Sequence, residues 1–204
     1  MNVFSFLTIN KPSEGIYKES GSKFLAFAYP VNSEMEVKEK VDSLKKKYFD
    51  ATHHCFAWVL GADKSRFRAV DDGEPNHSAG DPILGQIRSK NLTNVLVVVV
   101  RYYGGTKLGV GGLIQANKTS AEAALNNAQI HEQDVTQSLE LQFSYDENAE
   151  VMRLIKEYNL TLVSQNFTEV CKLKLEVKVS MHNKFIAKLN LLTKLGYTIS
   201  FQEV

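Results

Sequence analysis

The chain has little of what marks special-purpose proteins. Its 204 residues include two cysteines, Cys55 and Cys171, too few for a disulfide framework, so nothing requires an oxidising compartment. Four prolines and twelve glycines exclude a collagenous or low-complexity chain, and 44% hydrophobic residues exclude a disordered one. Neither sign of charge dominates. There are 24 Lys and Arg against 23 Asp and Glu, split 16 to 15 over residues 1–135 and 8 to 8 after them. Neither half therefore reads as a strongly basic nucleic-acid binder or an acidic tail. The strongest apolar run, residues 95–100, is far below the ~20 residues that a spanning helix needs. The apolar stretch 1–9 has no basic start and is cut short by Lys11, so it does not read as a signal peptide. The expectation is a folded cytoplasmic protein without a membrane role.

What is present alternates strand and helix patterns. Residues 15–20 and 23–31 read as strands around Ser20-Gly21-Ser22. Ser33 with Glu36 forms a capping box for a helix that places Val37, Val41, Leu44 and Tyr48 on one face. Strands follow at 53–60 and 66–70, then a helix with Pro82 in its first turn, then a β-branched strand at 93–103 that reads as central and covered on both faces. A glycine-rich loop leads into a helix ending near Asn127. After a polar stretch, 128–136, the pattern restarts as strand 138–145, helix 151–158, strands 160–167 and 170–179, a helix through Phe185, Leu189 and Leu192, and strand 197–201. This βαββαβ order is that of the ferredoxin-like fold. The fold class is α+β in two domains, 1–132 and 133–204.

Three segments place polar residues at the ends of apolar strands. In the first, His53, His54 and Cys55 are metal-ligand types, but neighbours on a strand point to opposite faces. His54, Phe56 and Trp58 share one face and His53, Cys55 and Ala57 the other, unless the strand starts later. No second His-x-x-His or Cys-x-x-Cys spacing supports a metal site. Cys55 reads as a buried small hydrophobe rather than a nucleophile.

In the second, Asp71, Asp72 and Glu74 can hold a hard cation, form an ordinary Asp-Gly turn, or present an anionic rim to a partner. The third runs from Arg101, Tyr102 and Tyr103 through Gly104, Gly105, Lys107, Gly109, Gly111 and Gly112, with Lys118 further along the helix. Bare backbone N–H groups at a helix start bind anions, and Arg101, Lys107 and Lys118 would add charge for phosphate contacts. Tyr102 and Tyr103, on opposite faces, offer at most one ring for stacking on a base. The loop matches neither nucleotide signature: Val110 stands where a P-loop has lysine, and the third glycine of a dinucleotide fingerprint is missing. Its glycines also suit tight packing of the helix on the strand, with Ala121, Ala124 and Ala128 beyond. No cofactor motif is present.

These blocks in this order resemble the IMPACT/YigZ family over nearly the whole chain. Ser22-Lys23-Phe24, His53-His54-Cys55, Asp71-Asp72-Gly73-Glu74-Pro75, Ala79-Gly80, Val98 to Gly105, Leu108-Gly109 and Gly111-Gly112-Leu113 carry the resemblance. Ser78 stands where the family has threonine and keeps the hydroxyl; Asn117 replaces a tyrosine and removes a ring near the glycine-rich loop. The resemblance implies an N-terminal domain with the fold shared by ribosomal protein S5 domain 2 and domain IV of elongation factor G. It implies a C-terminal domain like domain V of that factor. Eukaryotic IMPACT proteins regulate translation by competing for an activator of the initiation-factor kinase, and the family brings no agreed catalytic residues.

The leading expectation is a non-enzymatic, translation-associated factor that contacts RNA, the ribosome or a translation-related protein through its N-terminal domain. The alternatives are a protein-interaction module using the edge of Asp71, Asp72 and Glu74, and a metal-assisted hydrolase using those three with His53 and His54.

Overall fold

A computed structural model describes residues 3–167 and 170–204; Met1 and Asn2 of the apolar N-terminal stretch lie outside it. The chain divides into two compact units. Residues 5–133 form the first, and residues 134–204 form the second together with Val3 and Phe4.

The first unit is built on a five-stranded antiparallel sheet. Its strands are β2 (Ser13–Glu19), β3 (Ser22–Pro30), β6 (Val95–Tyr102), β4 (His53–Leu60) and β5 (Arg66–Val70), in the spatial order β2-β3-β6-β4-β5. The β-branched run makes β6 the middle strand, buried on both faces as its composition suggests. Val95, Val97 and Val99 pack with α2 (Gly80–Ser89) and α3 (Gly109–Asn126). Leu96, Val98 and Val100 pack with α1 (Glu34–Lys47). Ser33 caps α1, its hydroxyl accepting the Glu36 N–H at 3.2 Å. The close approach of α3 to the sheet depends on Gly15: a Cβ there would stand 2.3 Å from the Ala124 nitrogen.

Two strands lie where the sequence pattern shows none. β1 (Ser5–Ile9) pairs with β7 (Ile130–Asp134) in a separate two-stranded sheet. β7 is exposed almost throughout and so carries no apolar alternation. What read as a polar joint is a strand.

The second unit follows the expected βαββαβ order: β8 (Thr136–Phe143), α4 (Asn148–Glu157), β9 (Thr161–Phe167), β10 (Cys171–Lys178), α5 (Val179–Lys194) and β11 (Ser200–Glu203). Its antiparallel sheet runs β11-β8-β10-β9. Leu139, Leu141 and Phe143 of β8 and Leu173, Leu175 and Val177 of β10 meet α4 and α5 in a separate core. Among the described residues no helix is long and apolar enough to cross a membrane.

Candidate functional site

Antiparallel register brings the first site residues together. His53, at the start of β4, lies opposite Arg101, near the end of β6, and Arg101 lies opposite Phe24 on β3. Paired residues share a face, here that of Cys55 and Val99, so this row points toward α2 and α3. There it borders a cleft of about 430 Å³, closed by the turn Gly73-Glu74-Pro75, by Tyr103, by residues 107–110 and by Leu113.

The acidic turn points inward, each carboxylate to a different element. Asp71 accepts N–H groups from Ala79 at 3.0 Å, Gly80 at 2.8 Å and His77 at 2.9 Å, and thereby caps α2, whose own N-cap position is the side-chain-poor Ala79. Asp72 accepts the His54 N–H at 2.7 Å and the Lys45 ammonium at 3.0 Å. Burial alone would raise both carboxyls, but these donors override it and hold each below the ordinary value. Glu74 accepts from Arg101 Nη1 at 2.7 Å; the Arg101 and Glu74 side chains are 8% and 1% exposed. The expected anionic rim is therefore corrected to three engaged carboxylates: Glu74 is buried against Arg101, Asp71 caps α2, and Asp72 forms a partly exposed ion pair with Lys45. Arg101 is no free surface cation but half of this buried ion pair, at the edge of the cleft.

The two histidines diverge, as strand parity requires. His53 lies 2.8 Å through Nδ1 from the Asp72 carbonyl oxygen. A carbonyl only accepts, so Nδ1 carries the proton and Nε2 of the neutral ring is an acceptor. His54 is buried on the α1 side, where desolvation lowers its pKa although Asp72 pulls the other way. Cys55 is buried, its thiol donates to the Asp71 carbonyl, and burial pushes its pKa far up. The five residues of the hydrolase alternative do not converge, and among the described residues no cluster of three or more His, Cys, Asp or Glu is placed to hold a metal.

The glycines of the loop have different causes. Gly104 lies against the β2–β3 turn: a Cβ there would come 1.9 Å from the Gly21 carbonyl carbon. Gly105 and Gly109 adopt left-handed φ of 88° and 70°. Gly105, Gly109 and Gly111 all face open space, so they do not serve the close helix–strand packing that Gly15 provides; Gly112 touches only Leu108. α3 begins at Gly109 with no side-chain cap and no acidic residue in its first turn. Its leading N–H groups are thus uncompensated, and Gly109 and Val110 of this first turn line the cleft beside the exposed Lys107.

Tyr103 is half exposed and lines the cleft, whereas Tyr102 turns away and donates to Asp50 at 2.8 Å. Lys118 is exposed further along α3 and is not part of the lining. Asn117 is buried and donates to the Ser78 and Leu113 carbonyls, so it ties α3 to the segment entering α2. The apolar walls, Pro75, Leu108, Val110 and Leu113, were not among the expected site residues, although Pro75, Leu108 and Leu113 lie in the motifs that carry the family resemblance.

A family model described as the Impact N-terminal domain matches residues 20–125, which contain this entire cleft. The chain is also 30% identical over 181 residues to the IMPACT family member YvyE of Bacillus subtilis, covering 89% of this chain and 83% of that protein. The chain belongs to the IMPACT family. It is likewise similar to the IMPACT family member YigZ of Escherichia coli, at 30% identity over 82% of this chain and 83% of that protein. A crystal structure described only as that of a hypothetical protein matches all of this IMPACT chain and 98% of its own, with a TM-score of 0.76 and 26% identity.

Proposed function

We propose that this IMPACT family protein is a translation-related regulator that acts in the cytoplasm by binding rather than by catalysis. Its first unit contacts RNA phosphate at the start of α3. The family's eukaryotic members supply the translation-related part of the reading. The observation that carries the contact is the uncapped, acid-free first turn of α3 opening on the cleft beside Lys107. The acidic-edge alternative has lost its free carboxylates.

One helix start and one lysine neutralise few phosphates. Affinity should therefore fall with salt at a log–log slope of about −1, only about fourfold between 50 and 200 mM. The test is co-sedimentation with purified ribosomes and total RNA across a salt series, using wild type, Lys107→Ala and Gly111→Asp. Gly111 faces open space, and an acid in the first turn suits the helix dipole, so Gly111→Asp folds while repelling an anion. Salt-sensitive association lost in both variants supports the reading. No association at any salt, or association that neither variant weakens, refutes it.

A further inference from the structure

The cleft contains two opposite hydrogen-bonding demands that the protein leaves unmet. The Arg101 side chain is more than nine-tenths buried and lines the cleft, yet its Nε–H has no acceptor among the described residues. His53, in the facing register position, has Nδ1 fixed on Asp72 and makes no hydrogen bond through Nε2 among the described residues. A buried donor without a partner is rare in a native structure and calls for a ligand or an ordered solvent molecule. The occupant needs an anionic acceptor for Arg101 and the α3 N–H groups, and a hydroxyl donor for His53.

The walls narrow the choice. Tyr103 presents a half-exposed ring, and Pro75, Leu108, Val110 and Leu113 give an apolar surface inside about 430 Å³, the size range of small-molecule sites. A duplex ridge cannot enter such a concavity, whereas one splayed-out nucleotide can, with its base on an aromatic ring. Resting on the phosphate-contact reading above, we infer that the cleft takes a single unstacked ribonucleotide. Its phosphate sits on the first turn of α3 with Lys107 and Arg101, its base lies against Tyr103, and a ribose hydroxyl donates to His53 Nε2.

The test is an NMR titration of the full chain with AMP, dAMP, adenosine, inorganic phosphate and a tetra-adenylate RNA. It follows the amides of residues 109–112 and the His53 ring nitrogens. AMP should move both sets, bind at least tenfold tighter than phosphate or adenosine, and bind severalfold tighter than dAMP. Gly111→Asp should abolish the amide shifts, Tyr103→Ala should reduce AMP to the affinity of phosphate, and His53→Ala should erase the preference for AMP over dAMP. Melting curves confirm that each variant is folded; should His53→Ala melt early, the Nε2 shift of wild type decides the hydroxyl contact. AMP that leaves these amides unmoved at millimolar concentration, or equal AMP and dAMP affinity, overturns the inference.

The RNA should bind at least as tightly as AMP. AMP binding without ribosome or RNA association keeps the cleft assignment and refutes the RNA role. Ribosome association without nucleotide binding refutes only the inference.

Discussion

Replacing Glu74 with alanine isolates what holds the floor of the cleft. The Arg101–Glu74 contact is 2.7 Å between side chains that are 8% and 1% exposed. Two unit charges about 4 Å apart at an effective dielectric of about 20 attract by about 4 kcal/mol, most of it offset by the desolvation both ions suffer. Glu74→Ala forfeits the attraction and leaves the arginine buried without its counter-ion, which costs roughly 3–5 kcal/mol. At roughly 3–5 °C per kcal/mol for a unit of this size, Tm falls by about 10–20 °C. Trp58, the single tryptophan, is buried on β4 and reports this unit alone, so urea and thermal unfolding are read by its fluorescence. The double replacement Glu74→Leu with Arg101→Met should return to within about 1–2 kcal/mol of wild type, because an apolar pair has no charge to strand. A Glu74→Ala protein within about 0.5 kcal/mol of wild type, the range of an exposed pair, would refute the buried-pair account.

Three further outcomes follow from the same geometry. Gly104→Ala should prevent the first unit from folding normally, since its Cβ would overlap Gly21 backbone, whereas Gly111→Ala should gain about 0.5–1 kcal/mol; Trp58 melting curves separate them. Asp71→Ala removes the acceptor of three N–H groups at the head of α2 and should cost about 2 kcal/mol in urea unfolding, with no recovery on adding Mg²⁺. For pH, His54 has a native pKa below its unfolded value, so its contribution is complete above about 6.5 and is lost as pH falls through the lowered native value. Asp72 and Lys45 face that ring with opposite effects, and the depressed Asp71 and Asp72 add a separate loss further down, below about pH 4. Unfolding free energy measured from pH 8 to 5 should decline in wild type and decline less in His54→Gln.

Much of the frame was legible because it is periodic. The β-branched run 95–100 reads as a strand covered on both faces, and parity along 53–58 separates His53 from His54 once the strand starts at His53. The second unit's element order was readable from alternation in 138–145 and helical spacing in 151–158. β7 was not, because a strand exposed almost throughout leaves no apolar signal, and β1, five residues ending in the buried Thr8 and Ile9, is too short and too uniformly apolar to show an alternation. The cleft's lining was half legible: Tyr103, Lys107 and Gly109 were among the expected site residues and do line it. What sequence could not show is which opposite charges meet. Arg101 and Glu74 looked like members of a basic and an acidic set, and only the fold makes them partners across 27 positions. An inward carboxylate and an outward one have the same letter.

The tetrapeptide Asp71-Asp72-Gly73-Glu74 holds α2, the β4–α1 side and β6 at once, with Asp72 and Gly73 locked in left-handed backbone. Such a knot cannot loosen one strand at a time. In native-state hydrogen exchange the amides of His54, Ala79 and Gly80, which belong to different elements, should open as one cooperative unit with one free energy. Because Glu74 and Arg101 belong to the same knot, that opening and the opening of the cleft floor are a single event. An occupant of the cleft should therefore slow the exchange of amides that it does not touch.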